Sequence, residues 1–144
     1  MSTLTVYSFT CLVSRDIILT EMESPVNAEK RVKEALKREF GQDFQRKVLR
    51  VGRTMDGSPA YKEFDAVSSD SKIVAMVKDY SAQNEVGNQT RHARVIRDLY
   101  YLCLAQVDQR FMYLSREFLE WFGQQKDASV PPNVEIRIVP SMFR

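Results

Sequence analysis

A chain of 144 residues with a net charge of +2 has the size of one domain, and its 44% hydrophobic and 28% charged residues exclude a disordered tail. Five Gly and five Pro are too few for a linker, a collagen-like repeat or a low-complexity array. The balance of 21 basic against 19 acidic residues does not announce nucleic acid, although a local basic face can hide in such a sum.

The N-terminal stretch Leu4 to Val13 is β-branched and aromatic, and reads as a strand. Ser24-Pro25 then signals a helix start, and the helix is expected to run to Phe40 and stop at Gly41. On a 100° wheel, Ala28, Val32, Ala35, Leu36 and Phe40 form one stripe, with Glu29 and Glu39 projecting from it. A carboxylate on a core-facing stripe needs a partner, or must lie at its rim, which is the reading given to Glu39.

Three strand-like segments follow, over Lys47 to Val51, Tyr61 to Ser68 and Lys72 to Lys78. The Met55–Pro59 cluster forms a turn, and the short Ser69-Asp70-Ser71 link makes the last two strands an antiparallel hairpin. A second helix is predicted from Gln89 to about Val107, with Arg91 and His92 at its N-terminal end. A strand over Arg110 to Leu114, a helix capped by Ser115, and a strand over Val134 to Ile138 complete the chain. This order implies a single mixed α/β domain over residues 1–144, with helices covering a sheet.

Neither Cys11 nor Cys103 has a thiol or imidazole near it in sequence, so a zinc or redox motif is not expected, and both read as reduced, buried thiols. No apolar run is long enough for a membrane span and no basic leader is visible, so the expectation is a cytoplasmic protein that does not engage a membrane.

Chemistry concentrates in the hairpin. Val74, Met76 and Lys78 share one strand face, and Asp65 lies in the neighbouring strand between Phe64 and Ala66. An Asp and a Lys embedded in apolar strands must meet each other, a metal or water. They are expected on neighbouring strands facing the first or second helix, and side chains on opposite faces of the sheet would count against a shared site; the plain alternative is a cross-strand Asp65–Lys78 ion pair.

The Phe64-Asp65 pair, the Met76-Val77-Lys78 triplet ten residues on, the preceding helix with Glu29 and the following helix with Arg91-His92 together resemble the PD-(D/E)xK nuclease superfamily. The resemblance covers roughly residues 25–114. It implies a restriction-endonuclease-like mixed sheet flanked by helices, with core order helix-strand-strand-strand-helix-strand. It also implies a Mg²⁺-dependent hydrolase acting on nucleic acid, DNA above all. Carried over, Glu29 and Asp65 would be metal ligands, Lys78 the catalytic amine, and Arg91 and His92 phosphate-holding residues at a helix N-terminus. The departure is Met76, a thioether at the triplet's acid position and a poor ligand for a hard cation. The alternative is therefore a non-catalytic nucleic-acid-binding or protein-interaction module on the same fold. Arg46-Lys47, Arg50 and Arg53 read either as a charge-protected edge strand or as a phosphate-tracking stripe. Phe118, Trp121 and Phe122 read as core or as the surface of a homodimer.

Overall fold

The computed structural model describes residues 25–80 and 85–141. The strand expected over Leu4 to Val13, the Ser24 cap and Cys11 lie outside these residues.

The first helix, α1 (Pro25–Phe40), has the expected bounds. Ala28, Val32 and Leu36 recur every four residues and are all fully buried. Gly41 ends the helix with a positive φ of 72°, its N–H donating to the Lys37 carbonyl at 2.8 Å.

Strands β1 (Phe44–Arg53), β2 (Pro59–Ser68) and β3 (Ile73–Lys78) follow as an antiparallel meander, the first two extending further than their apolar runs suggested. Helix α2 (Glu85–Leu104) leads to β4 (Gln109–Leu114), which pairs with β3 in parallel. The short α3 (Arg116–Phe122) is capped by Ser115, whose hydroxyl accepts from the Phe118 N–H, and β5 (Glu135–Ile138) closes the sheet parallel to β4. The strand order is β1-β2-β3-β4-β5.

Alternation along β3 sorts the core into two layers. Ile73, Ala75 and Val77 pack with Ala28, Val32 and Leu36 of α1 on one side of the sheet. Val74 and Met76 pack with Val95, Leu99 and Leu102 of α2, and with Phe118 and Phe122 of α3, on the other. The fold is thus α/β, a five-stranded mixed sheet between helices. Just past the end of α2, Arg110 donates to the Leu102 and Ala105 carbonyls at 2.8 and 2.7 Å, which ties β4 to the helix C-terminus.

Two irregularities shape the meander. Between the pairs Gln45↔Val67 and Lys47↔Phe64, Asp65 and Ala66 of β2 face the single residue Arg46 of β1. Between Arg50↔Tyr61 and Arg53↔Pro59, Val51 and Gly52 of β1 face the single residue Ala60. Each is a β-bulge, and the second is taken by Gly52 at φ 84°, where a side chain would be strained. The strands also fork. β2 and β3 pair at Ala66↔Ala75 and Val67↔Val74; beyond that, β2 continues on β1 while β3 continues on β4.

Candidate functional site at the fork between β2 and β3

The fork is where the charged residues of the meander collect. At its root, the Asp65 side chain takes the place of a ladder partner: Oδ2 accepts the Val77 N–H at 2.8 Å. The bulge is what permits this, because the extra residue keeps Phe64 and Val67 in the α2 layer, Ala66 in the α1 layer, and leaves Asp65 to turn into the gap.

From α1, Glu29 reaches the same place. Arg46 Nη2 donates to both Glu29 oxygens, at 2.7 and 2.6 Å, and lies 3.5 Å from Asp65 Oδ1. Its Nη1 stands 3.5 Å from Glu63 Oε1. One guanidinium therefore bridges the two carboxylates on which the metal expectation rested. Burial raises the Asp65 carboxyl above its ordinary pKa, and repulsion from Glu29 adds to this; the Val77 N–H, Lys78 and Arg46 offset only part.

Lys78 stands on the other side of the fork. In step with Val74 and Met76, it leans into the α2 layer, where its Nζ lies 2.8 Å from Asp98 Oδ2. Burial alone would depress the Lys78 ammonium, but Asp98, with smaller help from Tyr80 and Asp65, outweighs it and raises the pKa above 10.5. Asp98 is 0% exposed, and Lys62 Nζ and Arg97 Nε each stand 3.8 Å from its Oδ1. Asp65 and Lys78 are thus on neighbouring strands and feel each other's charge, but they do not face one helix and do not form the direct ion pair. Asp98 takes the lysine instead.

Arg91 and His92 are not at a helix N-terminus. Helix α2 begins at Glu85, earlier than predicted, because the polar 85–88 segment winds as its first turn. Both residues consequently lie in the second turn, past the open N–H groups, which corrects their assignment to a helix-end phosphate site. Arg91 stacks its guanidinium over Tyr80, 4.6 Å from the ring centroid. His92 is buried edge-on against Phe122 and Trp121, at 5.1 and 5.9 Å between centroids. Of the aromatic trio, Phe118 and Phe122 are core, while the Trp121 indole N–H donates to Glu85. Glu39 lies at the rim as expected, held by Arg137 at 2.6 and 3.0 Å.

Two residues of the site escaped the sequence reading. Asp98 sits on the stripe of Val95, Leu99 and Leu102, so a carboxylate on an apolar face was its available signal, masked by the neighbouring arginines. Arg46 gave no such signal, since its approach to Asp65 depends on the bulge.

The donor set decides what the fork can hold. Mg²⁺ keeps several of its waters and is held by one or two carboxylates, so the two that converge here match it in number. Both are engaged by Arg46, whose guanidinium takes the place a cation would need, and Met76, 2% exposed and packed in the α2 cluster, adds no oxygen donor. With Arg46 seated between them these residues do not fit Mg²⁺, and among the described residues no group of three or more His, Cys, Asp or Glu is placed to hold a metal ion.

No protein-family model matches the chain, and neither a curated protein nor a solved structure matches it. Among the described residues no helix is long and apolar enough to cross a membrane.

Proposed function

We propose that this chain is a nuclease-like protein on a restriction-endonuclease-like fold of the PD-(D/E)xK type, which binds nucleic acid, DNA foremost, without hydrolysing it. In support of the fold, a helix bearing Glu29 precedes an antiparallel three-stranded meander, and a second helix and a strand follow in that order. Asp65 and Lys78 flank the fork of that meander from its second and third strands.

The observation that carries the non-catalytic reading is Arg46 between Glu29 and Asp65. A guanidinium neutralises the paired carboxylates as a metal would. It has no open coordination position, however, and cannot lower the pKa of a bound water to make a nucleophile at neutral pH. The retained function is then attraction to phosphate. Beyond Arg46, which the carboxylates occupy, strand β1 carries Lys47, Arg50 and Arg53, and no carboxylate.

The test is fluorescence anisotropy of labelled DNA, at low and at physiological salt, beside a cleavage assay with Mg²⁺ and Mn²⁺. Binding is expected with a Kd of roughly 10⁻⁴–10⁻⁶ M at physiological salt, tighter at low salt, with the DNA left intact. Metal-dependent cleavage that disappears in Asp65→Asn would replace this reading with an active nuclease. Absence of binding at low salt would reject nucleic acid altogether.

A further inference from the structure

The β1–β2 ribbon beyond the fork has an inner and an outer face. Leu49, Val51 and Ala60 turn inward to the α2 layer, and Phe64 and Lys62 share that side. Arg46, Val48, Arg50, Tyr61 and Glu63 alternate with them and form the outer face. Without its bulge, β1 would send Arg53 inward. The extra residue at Gly52 shifts the phase, and Arg53 pairs with Pro59 on the outer face instead. The result is a stripe of Arg46, Arg50 and Arg53 along one strand, with Tyr61 directly opposite Arg50.

Two apolar side chains stand open within that stripe: Tyr61 is 65% exposed and Val48 54%. An exposed phenol ring and a β-branched neighbour on a pleated surface form a platform on which, among the described residues, no ring or guanidinium is stacked. A second copy of the chain is a poor occupant of this edge, since antiparallel β1–β1 pairing about Val48 would set Arg46 of each copy against Arg50 of the other. Arg46 is already matched by Glu29, Asp65 and Glu63, so the charge left open on the stripe is that of Arg50 and Arg53, and it calls for phosphate. Arg50 and Arg53 each spend one N–H on a local carbonyl, of Gly52 and Thr54, and a guanidinium has five.

We infer that the outer face of the ribbon is a binding site for single-stranded nucleic acid, with a base stacked on Tyr61 and the flanking phosphates held by Arg50 and Arg53. This rests on the nucleic-acid reading above and deepens it. A duplex keeps the faces of its bases inside the stack, so only an unpaired strand can use an exposed ring as well as the arginines. Because of the bulge, Arg50 and Arg53 stand opposite Tyr61 and Pro59, two positions apart on β2 and about 7 Å at strand rise, close enough to hold phosphates on either side of one stacked base.

The experiment is anisotropy titration of the whole protein with a labelled single-stranded oligothymidine and with a hairpin duplex of equal length, at one low salt concentration. The single strand should bind tighter. Tyr61→Ala should weaken it by about five-fold or more while leaving the duplex within about two-fold, and Tyr61→Phe, which keeps the ring, should bind as the parent does. Tyr61 is solvent-exposed, so its loss should leave the melting temperature unchanged, which a thermal scan checks. Equal affinity for both forms, or equal weakening of both by Tyr61→Ala, would overturn the single-strand site while leaving nucleic-acid binding in place. No binding of either form would overturn both.

Discussion

Burial works against the Asp65 carboxylate. Its carboxyl pKa is raised above the ordinary 3.8, so the native state takes up a proton more readily than the unfolded chain does. Stability contributed at this position therefore falls as pH rises from the ordinary carboxylate value through the raised one, and stays lower beyond it. Asp65→Asn removes the charge, and the amide oxygen still accepts the Val77 N–H. The expected outcome is a higher melting temperature near neutral pH, with the gain vanishing as pH drops below 3.8; a destabilised variant at neutral pH would show that attraction to Arg46 outweighs burial and Glu29. Residues placed against their own stability are a mark of functional sites. Glu29 and Asp65 were legible in the sequence for that reason, each being a charge inside an apolar pattern. Asp98 has the same signature, but Arg94 and Arg97 beside it give that stretch the composition of a solvated helix face.

A β-bulge is a phase change, and in this meander two such changes decide which side chains meet. Sequence alternation alone puts Arg53 on the inner side of β1 with Leu49 and Val51; Gly52 moves it to the outer side. Deleting Gly52 removes the extra residue and leaves Arg53 next after Val51, so the regular pleat keeps it opposite Pro59 on the outer face and affinity for nucleic acid should stay close to the parent's. Arg53→Ala should lower the affinity, and the slope of log K against log salt should decrease by about 0.7, one phosphate contact on a single strand. Gly52→Ala keeps the residue count and strains the backbone by about 1–2 kcal/mol, so it should lower the melting temperature and spare the affinity. If Arg53→Ala leaves affinity and slope untouched, Arg53 makes no contact. The elements themselves were readable because their periods were clean: α1, the hairpin, the Ser115 cap and the last strand stand where the pattern put them. The bulges were not readable, because an added residue is silent until its partner strand is known. The start of α2 was misplaced because Glu85-Val86-Gly87-Asn88 has a loop's composition and winds as helix all the same. That shift is why Arg91 and His92 lost the role given to them.

At the scale of the whole molecule, β3 is the hinge of the design. It is antiparallel to β2, parallel to β4, and the strand from which the ribbon parts. The order of elements was legible, whereas the parallel β3–β4 register was not, since Ile73↔Gln109 depends on packing across a whole helix and not on any local signal. The fork has a consequence for how the protein opens. Val74 and Ala75 of β3 are paired on both sides, and Met76 and Val77 stay on β4, but the ribbon past the fork is held on one side only, by the bonds that β1 and β2 make to each other. Subglobal opening should follow this seam. In native-state hydrogen exchange, amides of 49–53 and 60–63 should exchange at a lower free energy than those of 74–77 and 111–114, and as one group. Uniform exchange across both sets would mean that Leu49, Val51 and Ala60 bind the ribbon to the core as tightly as the central ladder does. A ligand seated on the ribbon would slow exchange there first, so the least protected part of the sheet is also the part that would report occupancy.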